Sequence, residues 1–162
     1  DSLPRDILRK YQNTSIPTKI YPAEKDKTDT HIAFELAMKY NPSLIDIVGA
    51  TGSRMDHSLS NIHLLISALK ENILVRIIDT NNRIYLKNCS FTIRKDEQYG
   101  DYLSLLPFSD EVRGLKLKGF KYPLNGITLT KGTSLCVSNE IIEDEANVEF
   151  DEGILIVFET KD

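Results

Sequence analysis

Two short charged segments hold the residue types that bind phosphate and metal ions. Residues 24–29 (EKDKTD) and residues 49–57 (GATGSRMDH) each lie between an apolar run and an amphipathic segment. Arginine offers a planar fork of donors to phosphate oxygens, and aspartate offers the hard oxygen ligand that magnesium prefers. The glycines of the second segment allow a ligand to approach the backbone closely. The pattern favours a metal-bound polyphosphate, with these candidate side chains: Arg54 for phosphate, and Asp26, Asp29 and Asp56 for the metal ion.

Alternating strand and helix patterns position the two segments. Short apolar runs predict strands over residues 18–22, 44–48 and 73–78, the middle one a covered parallel strand. Apolar spacings of three and four predict one helix over 32–40 and a second over 59–69. This order indicates a mainly parallel sheet, in which ligands bind beyond the carboxyl ends of the strands. Both charged segments follow a predicted strand and lead into a predicted helix.

The second half of the chain has a different pattern. No helix is predicted after residue 80, and short runs separated by turn-prone residues indicate an antiparallel sandwich or barrel. The predicted strands are residues 83–88, 90–95, 102–108, 115–124, 134–139 and 154–159. We therefore expect two domains, an α/β domain over residues 1–79 and a β-sandwich over residues 80–162.

Composition excludes some classes of protein. The chain has 162 residues and a formal net charge of -4, which disfavours broad binding to a nucleic-acid backbone. Cys89 and Cys136 form no CxxC motif, so we expect two buried thiols in a reducing compartment. Apolar runs stay well short of the ~18 residues of a membrane span. We expect a cytoplasmic protein that binds neither nucleic acid nor a membrane.

The site candidates have structural alternatives. Thr28 or Asp29 can cap the helix that follows, and spacing alone favours neither this role nor phosphate binding. Arg54 and Asp56 can form a surface ion pair of little energetic weight. No segment matches the GxxxxGK[ST] phosphate-binding pattern, so the residues alone favour the phosphate interpretation only modestly.

Other polar residues are more simply interpreted as structural. His31 and His63 fall within predicted helices and lack the spacing of metal ligands, and His57 suits a helix entry. The acidic run over residues 140–152 is expected to be a solvated edge.

Five blocks, in order along the chain, resemble the thiamine pyrophosphokinase family. They are KDKTD, GATGSRMDH with the helix SLSNIHLL, SLLPF, LKGFKYPL and SLCVSNE. The resemblance implies an α/β catalytic domain joined to a β-sandwich that holds thiamine. It implies transfer of pyrophosphate from ATP to the thiamine hydroxyl, with magnesium as cofactor and AMP as the second product. It also implies a homodimer whose active sites lie between the subunits.

The resemblance assigns a role to each matching position. Asp29 matches a magnesium ligand, and Asp1 is expected to match another. Thr28 and Arg54 match residues that contact the ATP phosphates, and Asp26 belongs to the same ATP-binding loop. Asp56 matches an aspartate at the reacting phosphates, where it orients or deprotonates the thiamine hydroxyl. Ser138 matches the residue that meets the thiamine pyrimidine, and Asn139 is a weaker candidate beside it.

The chain departs from the family pattern at two places. It opens with DSLP, which resembles the end of a family segment that carries acidic residues. We therefore expect the α/β domain to be truncated at its start. Ser53 stands where the family more often has glycine, and a residue as small as serine should have little consequence.

Two rival functions use the same features. A metal-dependent phosphohydrolase would use the acidic loops with water as acceptor. A non-catalytic thiamine-binding module would use the β-domain alone. Formation of AMP that depends on thiamine separates the kinase from the hydrolase, and nucleotide binding separates it from the module.

Overall fold

The computed structural model describes residues 5–15, 19–22 and 24–162, so Asp1 lies outside the described residues. The helices are α1 (Arg5–Gln12), α2 (Asp29–Met38) and α3 (Met55–Lys70). The strands are β1 (Leu44–Val48), β2 (Leu74–Ile78), β3 (Asn82–Lys87), β4 (Phe91–Arg94), β5 (Tyr102–Pro107), β6 (Glu111–Lys118), β7 (Leu124–Thr130), β8 (Glu145–Glu149) and β9 (Leu155–Thr160). A short 3₁₀ helix, Lys95–Glu97, follows β4.

The strands form two sheets. The larger has the order β1-β2-β3-β9-β5, and the smaller has the order β4-β8-β6-β7. β1 and β2 pair in parallel, and the remaining pairs are antiparallel. The predicted fold class, an α/β part followed by an antiparallel sandwich, is confirmed. The larger sheet crosses residue 79 because β2 pairs with β3, so the domain limits 1–79 and 80–162 stay a prediction.

Two apolar cores hold the sheets in place. The first fills the space between the sheets and includes Leu103, Val112 and Val148, each at most 1% exposed. The second lies between α3 and the outer face of the larger sheet, where Leu65 packs in one cluster with Ile77 and other residues of β2 and β3. Full burial of one such side chain contributes about 1.5–3 kcal/mol. The second core fixes α3, and Ala50 in the loop before it, against β2 and β3.

The first half differs from the sequence prediction in three places. Residues 19–22 are irregular instead of a strand, and Ile20 is 63% exposed. α1 was not predicted, because eight residues give too short a periodic pattern. β1 is an edge strand with Val48 76% exposed, so the expected cover over both of its faces is absent from the described part of the chain.

The second half differs where glycine and burial redirect the chain. β6 ends at Lys118, before Gly119 with a φ of +83°, and β7 begins at Leu124, so one predicted strand is replaced by parts of two. Residues 134–139 form a loop. The acidic run contains β8, an interior strand whose Ala146 and Val148 are fully buried, so the expectation of a solvated edge was wrong.

The two cysteines lie in different surroundings. Cys136 is buried as expected, and burial raises the pKa of its thiol to about 11. Cys89 is exposed, because it falls in the turn between β3 and β4. Both are free thiols. None of the helices found over residues 5–15, 19–22 and 24–162 has the length and apolar character needed to cross a membrane.

Candidate active site

Hydrogen bonds from α3 hold the loop between β1 and α3. Gly49 has a φ of +73°, a conformation that other residues rarely adopt, and it turns the chain out of β1. The buried Asn61 donates through Nδ2 to the carbonyl oxygen of Ala50 at 2.8 Å. The backbone N–H of Gly52 donates to the Oγ of Ser58 at 3.3 Å. Two residues of one helix therefore fix the backbone of the loop that precedes it.

A third hydrogen bond comes from outside this segment. The hydroxyl of Thr51 donates to Oδ2 of Asp79 at 2.7 Å, and Asp79 directly follows β2. Oδ1 of Asp79 also accepts from the backbone N–H groups of Asn81 and Asn82 at 2.8 and 2.7 Å. Burial alone would raise the pKa of Asp79, but the hydrogen bonds from Thr51, Asn81 and Asn82 outweigh it and lower the pKa below 3.8.

Arg54 and Asp56 are brought together at the start of α3. The guanidinium donates to both carboxylate oxygens, from Nε at 3.2 Å and from Nη2 at 2.6 Å. This hydrogen-bonded pairing lowers the pKa of Asp56 and raises that of Arg54. The side chain of Arg54 is 70% exposed and that of Asp56 is 64% exposed, so the ion pair itself adds little stability. Both charged groups stand in solvent at the amino end of a helix, a favourable place for an anion.

The segment before α2 contains the other phosphate and metal candidates. Thr28 is the N-cap of α2, and its hydroxyl oxygen accepts from the backbone N–H of His31 at 3.2 Å, which confirms the capping interpretation. Asp29 pairs with Lys25 at 2.8 Å, and the hydrogen bond from Lys25 lowers its pKa. Asp26 lines an exposed groove with a volume of about 390 Å³, together with four lysines: Lys19, Lys25, Lys27 and Lys39.

The histidines lie where the structural interpretation predicts. His31 is in α2 with Nε2 3.4 Å from a carboxylate oxygen of Glu35, and His63 is in α3 with its ring edge-on to Phe108. His57 is exposed in the first turn of α3.

A magnesium site would use few protein ligands. Over the residues that the structure describes, no three His, Cys, Asp or Glu side chains cluster closely enough to enclose a metal ion. Magnesium is commonly held by one or two carboxylates together with substrate phosphates. Asp29, with 52% of its side chain exposed, fits that smaller role, whereas Asp1 lies outside the described residues.

The loop over residues 133–143 contains the thiamine candidates. Ser138 is exposed and has a φ of +56°, and its backbone N–H donates to the Oγ of Ser104 at 2.9 Å. Asn139 is buried instead of exposed. Its Oδ1 accepts from the N–H groups of Tyr122 and Glu140, and its Nδ2 donates to the carbonyl oxygen of Tyr122 at 2.8 Å. These bonds give Asn139 a structural role, and its predicted contact with substrate stays a prediction.

The hydrogen bonds of Asn139 hold Tyr122 beside Ser138. Tyr122 is 57% exposed, and Lys121 pairs with Glu140 at 2.6 Å across the same short connection. Nζ of Lys121 lies 5.7 Å from the centre of the Tyr122 ring. Tyr122 lies within the block LKGFKYPL but has no signal of its own in the sequence. In the structure it is an exposed aromatic residue whose backbone is bonded to the neighbour of the predicted pyrimidine contact.

Within one chain, the candidate phosphate-binding residues and the candidate thiamine-binding residues follow opposite ends of one row of paired strand residues. Ile47, Ile77, Ile84, Phe158 and Ser104 form one row across the larger sheet. The row begins beside the loop that follows β1 and ends at the residue bonded to Ser138. Four strand spacings of about 4.8 Å each put its ends roughly 19 Å apart. Residues paired in this way share one face of the sheet, so the row places the start of the loop after β1 and the residue bonded to Ser138 on the same face and apart.

Comparison with known proteins identifies both halves of the chain. Residues 1–77 match the thiamin pyrophosphokinase catalytic domain, and residues 80–155 match the thiamin pyrophosphokinase vitamin B1 binding domain. The chain is 40% identical to the thiamine pyrophosphokinase of Bacillus subtilis, over all of this chain and 76% of the relative. It is 22% identical to thiamine pyrophosphokinase 1 of rice, over 96% of this chain and 61% of that protein.

Solved structures of thiamine pyrophosphokinases also resemble this chain. The crystal structure of the Bacillus subtilis enzyme matches all of this chain and 76% of its own, with a TM-score of 0.91 at 40% identity. A thiamin pyrophosphokinase family protein from Enterococcus faecalis matches the same shares with a TM-score of 0.88 at 35% identity. The chain belongs to the thiamine pyrophosphokinase family.

Proposed function

We propose that the chain transfers pyrophosphate from ATP to the hydroxyl of thiamine, and that the loop between β1 and α3 holds the reacting phosphates. The observation that carries this proposal is the conformation of that loop. Ala50, Thr51 and Gly52 each make a hydrogen bond to a residue beyond the loop, while Arg54 and Asp56 stay exposed at its end. A fixed backbone that ends in exposed charged side chains suits a reaction that is accelerated by alignment and charge neutralisation.

In the proposed reaction the thiamine hydroxyl oxygen attacks the β-phosphorus of ATP. The bond from that phosphorus to the oxygen bridging the α- and β-phosphates breaks, and AMP leaves with the electron pair. Negative charge grows on the β-phosphate oxygens and on the bridging oxygen, where the guanidinium of Arg54 neutralises it. Binding of phosphate to Arg54 frees Asp56 to accept the hydrogen bond, and then the proton, of the thiamine hydroxyl.

The segment before α2 completes the proposed phosphate site. Thr28 contacts the ATP phosphates, Asp26 lies in the same ATP-binding loop, and the amino end of α2 adds a favourable field for an anion. Asp29 holds magnesium together with the phosphates, as Asp1 is also proposed to do. The metal ion supplies further neutralisation of phosphate charge when it is bound.

The second half of the proposed site binds thiamine. Ser138 contacts the pyrimidine, and the exposed ring of Tyr122 offers a face on which the cationic vitamin can stack. Asn139 contributes by holding the backbone of Tyr122 in place.

We further propose that the enzyme is a cytoplasmic homodimer with active sites between subunits. The separation of about 19 Å between the ends of the sheet row supports this, because it places the two groups of candidate residues apart within one chain. Exposed apolar residues flank the phosphate-binding half-site and the thiamine-binding half-site, and they suit burial against a second copy of this chain. They are Val48, Met55 and Leu59 beside the loop between β1 and α3 (residues 49–54, the phosphate loop), and Leu135, Val137 and Ile142 beside Ser138.

The function is tested with the purified full-length protein, ATP and magnesium, with and without thiamine. We expect AMP and thiamine diphosphate in equal amounts, and only when thiamine is present. Nucleotide hydrolysis at the same rate without thiamine would instead identify a phosphohydrolase. Thiamine binding by calorimetry, without binding of a non-hydrolysable ATP analogue, would identify a binding module.

A further inference from the structure

Asp79 joins the phosphate loop to the second half of the chain. Its side chain accepts hydrogen bonds from Thr51 in the loop and from Asn81 and Asn82 in the turn that leads into β3. Its backbone carbonyl oxygen accepts a short hydrogen bond from the hydroxyl of Tyr99. The residue lies between the part of the chain that matches the catalytic domain and the part that matches the vitamin-binding domain.

Tyr99 extends this connection to the buried end of β9. Its backbone N–H donates to Oε2 of Glu159 at 2.9 Å, and Glu159 is 1% exposed and paired with Arg83. The ring of Tyr99 lies between two cations, with the guanidinium carbon of Arg83 at 5.6 Å and Nζ of Lys161 at 4.9 Å from its centre. Asp79 is therefore held by a cluster of polar residues outside the loop.

The bond to Thr51 has a specific place within the loop. Thr51 stands next to Gly52 and two residues after Gly49, and glycine gives the chain the most backbone freedom. Ala50 and Gly52 are held by α3, a neighbour in sequence, whereas Thr51 is held by a residue 28 positions away. Of the side-chain hydrogen bonds found for the loop over the described residues, removal of this one leaves those to α3 and breaks the one to Asp79.

We propose that Asp79 is a positioning residue: through Thr51 it sets the loop, and thereby Arg54 and Asp56, in the geometry that transfers pyrophosphate. This inference rests on the proposed function. Asp79 does not contact the reacting atoms in this scheme, and its effect is on the alignment of groups that do. Small misplacements of such groups lower rates steeply, so loss of the bond should affect turnover more than stability.

The decisive variant is Thr51→Val, which keeps the shape of the side chain and removes the hydroxyl. We expect kcat to fall about tenfold, the KM for thiamine to stay within about twofold, and the thermal midpoint to fall by no more than about 4 °C. Thr51→Ser, which restores the hydroxyl, should recover most of the rate. Thr80→Val is the matched control, because Thr80 lies in the adjacent turn and its hydroxyl bonds to Asn81 at 2.8 Å.

Coupling to Asp79 is tested in a double mutant. On an Asp79→Ala background, Thr51→Val should cause no further loss of kcat, because the bond is already absent. A wild-type kcat for Thr51→Val, or a full additional loss on the Asp79→Ala background, would overturn the proposal. Failure of the proposed function is a different result, since the wild-type protein would then make no AMP with thiamine.

Discussion

The Oγ of Ser104 accepts a hydrogen bond from the backbone N–H of Ser138 at 2.9 Å. Ser138 has a φ of +56°, which a residue with a Cβ adopts at a cost of about 1 kcal/mol or more. A residue kept in that conformation needs contacts that determine it, and Ser104 on β5 supplies one of them. The predicted pyrimidine contact is thus positioned by a strand of the larger sheet.

We predict that Ser104→Ala raises the KM for thiamine several-fold and leaves the KM for ATP unchanged. Loss of one neutral hydrogen bond corresponds to about 1 kcal/mol, and the phosphate loop lies at the other end of the sheet row. Steady-state kinetics with each substrate varied in turn measures the two constants. Ser67→Ala, on the exposed side of α3, is the control. Equal increases in both KM values would contradict the division between the half-sites.

We predict that Arg54→Ala lowers kcat about a hundredfold or more without unfolding the protein. In the proposed reaction the guanidinium neutralises charge that develops on the phosphates, whereas its exposed pairing with Asp56 contributes little to stability. Arg94→Ala is a closely matched control, because Arg94 pairs with Asp96 two residues later, also through two hydrogen bonds. Comparable loss of activity in both variants would argue against a catalytic role for Arg54.

We predict that Asp29→Asn raises the magnesium concentration needed for half-maximal activity. The amide is a weaker ligand than the carboxylate for a hard cation. A magnesium titration at saturating ATP measures the shift, and circular dichroism checks that α2 is retained. Asp110→Asn, at a side chain 99% exposed on the β-sandwich, is the control. An unchanged magnesium requirement would remove Asp29 from the proposed metal ligands.

Sequence periodicity predicted the elements that have regular apolar spacing. α2, α3, β1, β2 and β9 lie close to their predicted positions, because each buries one face against a core. The strands predicted over residues 115–124 and 134–139 were wrong for a common reason. Both segments have strand-like composition, but Gly119 and the bonds of Asn139 decide the path of the chain.

For the candidate site, too, local features could be predicted from the sequence and long-range contacts could not. The pairing of Arg54 with Asp56 and the cap at Thr28 follow from local spacing. The roles of Asp79 and Tyr122 depend on contacts between distant parts of the chain, which a single sequence does not display. Burial of Asn139 likewise comes from its pairing with β5 at Leu103.

We predict that Asp79→Asn makes the free energy of unfolding depend less on pH in the acidic range. Hydrogen bonds lower the pKa of Asp79 in the folded state below 3.8, so its carboxylate stabilises the fold above that pH. The contribution disappears as the pH falls through the lowered folded pKa. The variant should lose about 1 kcal/mol of unfolding free energy at pH 7 and differ less from wild type near pH 2. Urea unfolding at several pH values gives the comparison, and a constant difference at every pH would contradict it.

We predict that two inactive variants restore activity when they are combined. In a two-fold dimer with active sites between subunits, each site takes its phosphate half from one chain and its thiamine half from the other. A dimer of one Arg54→Ala chain and one Ser138→Arg chain therefore has one site with both substitutions and one site with neither. Random mixing makes half of the dimers mixed, so on the order of a quarter of wild-type activity should return. The two chains are denatured together, refolded, and assayed for AMP release with thiamine. Each variant refolded alone is the control. Absence of any recovery, with mixed dimers confirmed by two affinity tags, would place both half-sites of an active centre in one chain.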